Sequence, residues 1–257
     1  MFASRESRHA GSPVDEGHVS IDIAFTDRWG GVSAGSYATL DLTRDRTGAG
    51  AELETNRALL AEAFGVDGFV TMRQVHGAAV VTVRCLGSPA PACDALVTDT
   101  EDVALCVRVG DCVPLVLADV TVGVVGVAHV GRPGVTAGVV AATTEAMRAL
   151  GAARVEAWVG PHVCGGCYEV PPTMRDDVSS IEPAAFCCTT WGTPSVDIGA
   201  AVAAQLVRSG CAAVHEVGPC TRESEDFFSY RRQGPSSGRQ AGLVVLRRAP
   251  VRGRPAR

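Results

Sequence analysis

Residues 103–131 read VALCVRVGDCVPLVLADVTVGVVGVAHVG, three β-branched runs broken by glycine, proline and aspartate. Branched side chains favour a pleated backbone, whereas Gly, Pro and Asp interrupt it. The pattern predicts strands over 103–109, 115–118 and 122–129. The longest apolar stretch, 120–129, falls well short of the roughly 18 residues a membrane span needs and reads as a buried strand. Working outward, Val19, Ile21, Ile23 and Phe25 alternate with Ser20, Asp22 and Ala24, the period of a strand with one buried face. Residues 52–64 place Leu53, Leu59, Leu60 and Phe64 at helical spacing before Gly65. Two β-rich runs, 69–75 and 78–84, flank His76-Gly77, which predicts a hairpin with a histidine at its tip. A further strand is expected over 94–98, a helix over 134–150 ending at Gly151, and a strand over 154–159. Asp197 is a good N-cap for a helix reaching Ser209 before Gly210, and strands follow over 212–217 and 241–246.

Strands outnumber helices without strict βαβ alternation, so the sequence predicts an α/β fold of mixed sheets with flanking helices rather than a Rossmann fold. Residues 1–17 are polar and are expected to be a flexible tail. Residues 18–246 are expected to form a single catalytic domain, with a disordered Pro/Arg-rich tail over 247–257. The composition, 46% hydrophobic and 20% charged, is that of a globular chain. A net charge of -5 with scattered basic residues argues against nucleic-acid or membrane partners, both of which call for clustered Lys and Arg. The N-terminus offers no apolar signal segment, so the ten cysteines are expected to be reduced thiols in the cytoplasm.

Three residues stand where predicted strands stop: His76, Cys112 and His129. Such positions let side chains converge on rigid supports. Two imidazoles and a thiolate are a legitimate set for catalytic Zn(II) with a fourth position open, and the same set suits Cu(II). Each residue also has a bland reading. An isolated Cys is usually a small core residue, and a turn His is usually just exposed. A His closing an apolar strand needs a polar partner. Gaps of 36 and 17 residues form no local metal motif.

Six strings occur in order: Gln74-Val75-His76-Gly77; Cys93-Asp94-Ala95-Leu96-Val97-Thr98-Asp99; Gly110-Asp111-Cys112-Val113-Pro114; Val127-Ala128-His129-Val130-Gly131; Val159-Gly160-Pro161 with Cys167-Tyr168-Glu169-Val170; and Phe227-Phe228-Ser229-Tyr230-Arg231-Arg232 with Gly238-Arg239. Over residues 20–246 the chain thereby resembles the laccase-like multicopper polyphenol oxidase family, which is associated with purine nucleoside phosphorylase activity. The resemblance implies a mixed-sheet α/β sandwich similar to the cytotoxic necrotizing factor catalytic domain, with His76, Cys112 and His129 as metal ligands. It further implies phosphorolysis of adenosine, inosine and methylthioadenosine, and deamination of adenosine. The chain departs from the family at Arg132-Pro133, where Trp-Arg is common between the two glycines, and at Asp41, where Asn is frequent.

Purine nucleosides and phosphate are therefore the expected partners. Arg132, Arg231 and Arg239 are candidates for phosphate, since planar guanidinium forks suit it, and Asp41 is a candidate for substrate recognition. Asp111, beside Cys112, is the nearest carboxylate for proton transfer. A metal-free cysteine hydrolase or deamidase with Cys112 as nucleophile and His129 as base is the alternative. A copper polyphenol oxidase is least favoured, because only His9, His18, His162 and His215 remain to build a multinuclear cluster. Cys164 and Cys167 form a CxxC that, without a second pair, is weak evidence of metal or redox use.

Overall fold

The computed structural model describes residues 1–10, 18–44, 46–87 and 89–248. Strands β1 (Phe2–Ala10) and β2 (Val19–Thr26) precede helix α1 (Gly50–Phe64), and β3 (Val80–Thr82), β4 (Ala95–Thr98), β5 (Leu105–Val109), β6 (Val113–Asp119) and β7 (Val124–Val130) follow. Next come α2 (Arg132–Ala137), α3 (Val139–Ala149), β8 (Glu156–Val159), α4 (Pro172–Ile181), β9 (Phe186–Cys188) and β10 (Pro194–Val196). Helix α5 (Ile198–Arg208), β11 (Ala213–Glu216), α6 (Tyr230–Gln233) and β12 (Gln240–Arg248) complete the order.

An antiparallel sheet runs β1-β2-β12-β5, a six-stranded mixed sheet runs β11-β8-β6-β7-β4-β3, and β9 and β10 pair by themselves. The period-2 side chains build the layers. Ile21, Ile23 and Phe25 of β2 and Val107 of β5 meet Val116 of β6 and Val125 and Val127 of β7 between the two large sheets. On the outer face of the four-stranded sheet, Ala24, Leu243 and Val245 pack against Leu60 and Phe64 of α1. On the far side of the mixed sheet, Leu115, Leu117 and Ala128 pack against Val139 and Met147 of α3 and Val202 and Leu206 of α5. The result is a four-layer α/β sandwich with mixed strand directions.

The structure corrects several expectations. The tail expected over 1–17 instead begins with an edge strand, β1, paired along β2 from Phe2↔Thr26 to Ala10↔Val19. Its polar side chains concealed it, because pairing uses the backbone while one side faces water. Arg5 donates to Ala63 O at 2.8 Å and lies 5.3 Å from the Phe64 ring centroid, fastening the strand over α1. Residues 11–17 lie outside the described residues. At the other end β12 continues to Arg248, and Arg247 donates to Asp22 at 2.9 Å; the rest of the expected tail, 249–257, lies outside the described residues. The runs around His76-Gly77 do not form a hairpin. Val70 bridges to Leu105 beside the first sheet, whereas β3 joins β4 in the second, so the chain crosses between sheets at His76. The helix expected over 134–150 is two helices, α2 and α3, divided by Gly138 at φ 80°.

Candidate functional site

Strand register assembles the centre. Ala95 pairs with Ala128 in β4 and β7, which sets Asp94 opposite His129. Val125 and Val127 point into the inter-sheet core, so His129 projects to that same face at the end of β7. There its Nδ1 lies 2.9 Å from Asp94 Oδ1, both side chains being buried. The Asp94 carboxylate also accepts from the backbone N–H groups of Val75, His76 and Gly77, the last at 2.7 Å. One fully buried carboxylate thus orients His129 and ties down the turn that carries His76. Cys112 enters from the short link between β5 and β6, where Asp111 holds φ at 128°.

The His76 and His129 rings stand edge to face with centroids 4.6 Å apart, and the donor atoms of His76, Cys112 and His129 all lie within 4.8 Å of one another. A Cβ at Gly131 would come 2.9 Å from Cys112 Sγ and 3.0 Å from His76 Cδ2, so only glycine leaves room for this approach. The donor set fits a metal ion. With Nδ1 turned to Asp94, His129 presents Nε2 inward, and a carboxylate behind a ligating histidine is the usual means of orienting it and raising its basicity.

Electrostatics agree. Burial pushes the Cys112 thiol up, but hydrogen bonds and charge from His129 and His76 outweigh it and bring the group down to about 6. Burial disfavours protonated His129, yet Asp94 and Cys112 raise it to about 9. Asp94 is held below the usual carboxylate range: burial opposes this, but His129 and the Gly77 and His76 N–H groups prevail. Asp111 moves the other way, because its burial exceeds the help of Thr221, the Arg231 N–H and Ser229.

The three ligands open into a cavity of about 740 Å³ whose wall carries six arginines, Arg44, Arg73, Arg108, Arg132, Arg231 and Arg239, and one carboxylate, Asp111. Arg231 stacks over Tyr168 at 4.5 Å, and both residues face the cavity. Arg239 also lines it while donating to Ser237 O and Gly238 O at 2.8 Å. Arg108 is largely structural, reaching Leu42 O and Met72 O. Asp111 accepts from Thr221 Oγ1 at 2.7 Å and from the Arg231 N–H at 2.6 Å, so it anchors the α6 segment to the Cys112 loop. Asp41 is not among the cavity-lining residues. It is buried behind them, accepting from Thr43 and from the Arg239 N–H at 3.0 Å and facing Arg46. Sequence reasoning missed Asp94, Arg44 and Arg73 as site residues. The signals for Asp94 were its place at the foot of a strand and within one of the six quoted strings, whereas Arg44 and Arg73 belong to none of those strings.

Residues 22–247 match the family described as multi-copper polyphenol oxidoreductase laccase. A Streptomyces coelicolor protein named purine nucleoside phosphorylase is 51% identical over 233 residues, covering 87% of this chain and 95% of its own. A Streptomyces griseus protein of the same name is 47% identical over 246 residues, 93% and 98% of the two chains. Among solved structures, a Neisseria meningitidis protein superposes with a TM-score of 0.78 at 29% identity, covering 94% of this chain and 99% of that one. The protein YlmD from Geobacillus stearothermophilus gives 0.78 at 25% identity over 88% and 92%. Among the described residues no helix is long and apolar enough to cross a membrane.

Proposed function

The chain belongs to the multi-copper polyphenol oxidoreductase laccase family, and from that premise we propose that it is a purine nucleoside phosphorylase acting on adenosine, inosine and methylthioadenosine. The observation that carries this reading is the cavity of about 740 Å³ in which six arginines and a single carboxylate surround a His2Cys donor set. Its volume suits a small-molecule ligand, and forked guanidinium donors suit phosphate.

Arg132, Arg231 and Arg239 hold the phosphate, with Arg44 and Arg73 adding to the field that concentrates it. Tyr168, stacked beneath Arg231, keeps that guanidinium fork oriented. A phosphate oxygen then bonds to the anomeric carbon as the bond from that carbon to the purine nitrogen breaks, and the electron pair leaves on the base. Positioning the anion supplies most of the acceleration. The departing purine takes up a proton, and Asp111 is the residue assigned to deliver it, because burial makes its carboxyl hold a proton more readily than usual. His76, Cys112 and His129 would hold Zn(II), with Cu(II) as the alternative; when bound, the ion supplies a Lewis acid beside the substrate. Adenosine deamination at the same centre is a further proposed activity. The reading places the protein in the cytoplasm, where its ten cysteines would persist in reduced form.

The test is incubation of the purified protein with inosine, with and without phosphate, and chromatography of the products. Hypoxanthine and ribose 1-phosphate should form only when phosphate is supplied, whereas deamination of adenosine should release ammonia without it. Failure to release a free base from any of the three nucleosides would end the phosphorylase reading. The second reading, a metal-free cysteine hydrolase, is favoured by one observation: Cys112, His129 and Asp94 line up as nucleophile, base and orienting carboxylate, with the thiol brought down to about 6. It requires that chelated, zinc-free protein keep full activity on an amide or ester, whereas the phosphorylase reading expects chelation to abolish turnover.

A further inference from the structure

Outside the cavity, a second group of metal-type donors comes together: Cys164, Cys167, Cys220 and Glu223, whose ligand atoms all lie within 4.8 Å of one another. The sequence shows a single CxxC, and the fold supplies the second pair from 53 residues further along the chain, counted from Cys167 to Cys220. Both pairs have the same i, i+3 spacing, and each sits on a tight turn. Cys167 N donates to Cys164 O at 3.0 Å in the first, and Ser224 N donates to Cys220 O at 3.0 Å in the second. Two such turns facing each other offer four donors from two rigid loops, as C-x-x-C zinc sites do.

We propose that Cys164, Cys167, Cys220 and Glu223 form a structural Zn(II) site, separate from the His76–Cys112–His129 centre. N–H donors already point at two of the sulfurs, as they do around metal-bound thiolates, and Cys167 Sγ donates to Glu223 Oε1 at 3.2 Å, which draws the carboxylate to the cluster. The Cys164 N–H donates to Cys220 Sγ at 3.3 Å, and Arg222 Nη1 donates to Cys167 Sγ at 3.5 Å. Three thiolates and a carboxylate outweigh the charge of a divalent ion, and the Arg222 guanidinium, braced over Trp191 at 4.9 Å, offsets part of the excess. Cysteines that simply fill space look different here: Cys106 is buried in an apolar layer with Leu60, Phe64 and Leu243 around it. Soft sulfur donors select zinc over magnesium or calcium. Four protein donors leave no position for substrate, so the site holds structure and takes no part in the reaction.

What it holds is a wall of the cavity. The first loop carries Val163 and Tyr168, which line the cavity. The second carries Thr221, which donates to Asp111 at 2.7 Å, and Arg232 clamps its carbonyls at Thr221, Arg222 and Ser224. An ion shared by the two loops would fix Tyr168, and the Arg231 stacked on it, relative to Cys112.

The experiment removes the cavity ligands and asks what remains. Cys112→Ala/His129→Ala protein, expressed with zinc, should retain about one equivalent by elemental analysis, and adding Cys220→Ser should reduce this to nearly none. Cobalt added to the zinc-stripped double variant should produce the intense thiolate-to-metal absorbance of a sulfur-rich site, and Cys220→Ser should abolish it. Glu223→Gln, a milder change, should leave the protein folded and release zinc to a chelator at least about tenfold more readily. If the double variant does not fold, wild-type protein serves, with about two equivalents expected and one lost on Cys220→Ser. The proposal falls if the double variant carries no metal and gives no thiolate–cobalt band, or if thiol titration of freshly prepared protein finds two of these three cysteines joined as a disulfide.

Discussion

At the scale of single residues, Asp94 does more than any ligand to make the centre, because its two oxygens receive His129 and three backbone N–H groups of the His76 turn. Replacing it with Asn keeps the volume but removes the charge behind His129. Asp94→Asn should weaken metal retention by about 10–100-fold, the range for a carboxylate behind a ligating histidine, measured by chelator competition. Retention equal to wild type would show that the carboxylate orients the ring without tuning it. His76, Cys112 and His129 were singled out in the sequence by the strings that carry the family resemblance, each residue alone having a bland reading. Asp94 was not, since its partnership with His129 depends on the β4–β7 register, which pairs residues 35 positions apart. Arg231 offers a second test at this scale. Lys at this position keeps the charge but loses the planar fork and the stack on Tyr168. Arg231→Lys should raise the KM for phosphate several-fold more than that for nucleoside, and equal changes in both would remove Arg231 from phosphate recognition.

At the scale of elements, the sequence located most strands and helices but not their junctions, and the junctions are where conformation overrides periodicity. The mark in 134–150 of the break that Gly138 makes at φ 80° is the glycine itself, and a lone glycine within a helical pattern does not by itself end a helix. A Cβ there meets nothing within 4 Å, so Gly138→Ala costs only backbone strain, about 1–2 kcal/mol by urea denaturation, with metal content unchanged. A loss several times larger would mean that the α2–α3 corner is packed more tightly than this geometry shows. The turn after β6 shows the converse, a junction held by one side chain. Asp119 accepts from Thr121 N and Oγ1 and from the Ala153 and Arg154 N–H groups, joining the β6–β7 turn to the segment before β8. Burial opposes its ionisation, but these donors prevail and hold the carboxyl below its ordinary value. A depressed folded value means that the stabilisation is complete above the unfolded carboxylate value, about 4, and is lost as pH falls through the folded one. Asp119→Ala should therefore destabilise the protein by about 1–3 kcal/mol at neutral pH, the cost of losing hydrogen bonds to a charged group, and by progressively less towards pH 3. A pH-independent loss would point to packing instead.

At the scale of the whole molecule, charge is unevenly placed. The chain carries a net charge of -5, yet the cavity wall brings six arginines against one carboxylate. Composition gives only the net balance of charge and could not reveal this pocket, because Arg44, Arg73, Arg132 and Arg231 lie far apart in the chain and meet only when the layers close. The layering was legible from alternation, since each strand shows which face it buries; the convergence of loops above the strand ends was not. The asymmetry makes a prediction about inorganic phosphate alone. A ligand that binds only the folded state stabilises it by RT ln(1 + [L]/Kd), about 2.7 kcal/mol at a hundredfold excess over Kd. Phosphate should raise the unfolding temperature along a saturating curve, whereas chloride at matched ionic strength should not. Saturation matters, because phosphate also stabilises proteins generally by exclusion from their surfaces, and that effect does not level off at low concentration. In Arg132→Ala/Arg231→Ala protein the saturable part should disappear while the gradual part remains. If the double variant responds to phosphate as the wild type does, the anion is held elsewhere and the arginine-lined cavity is not the phosphate site.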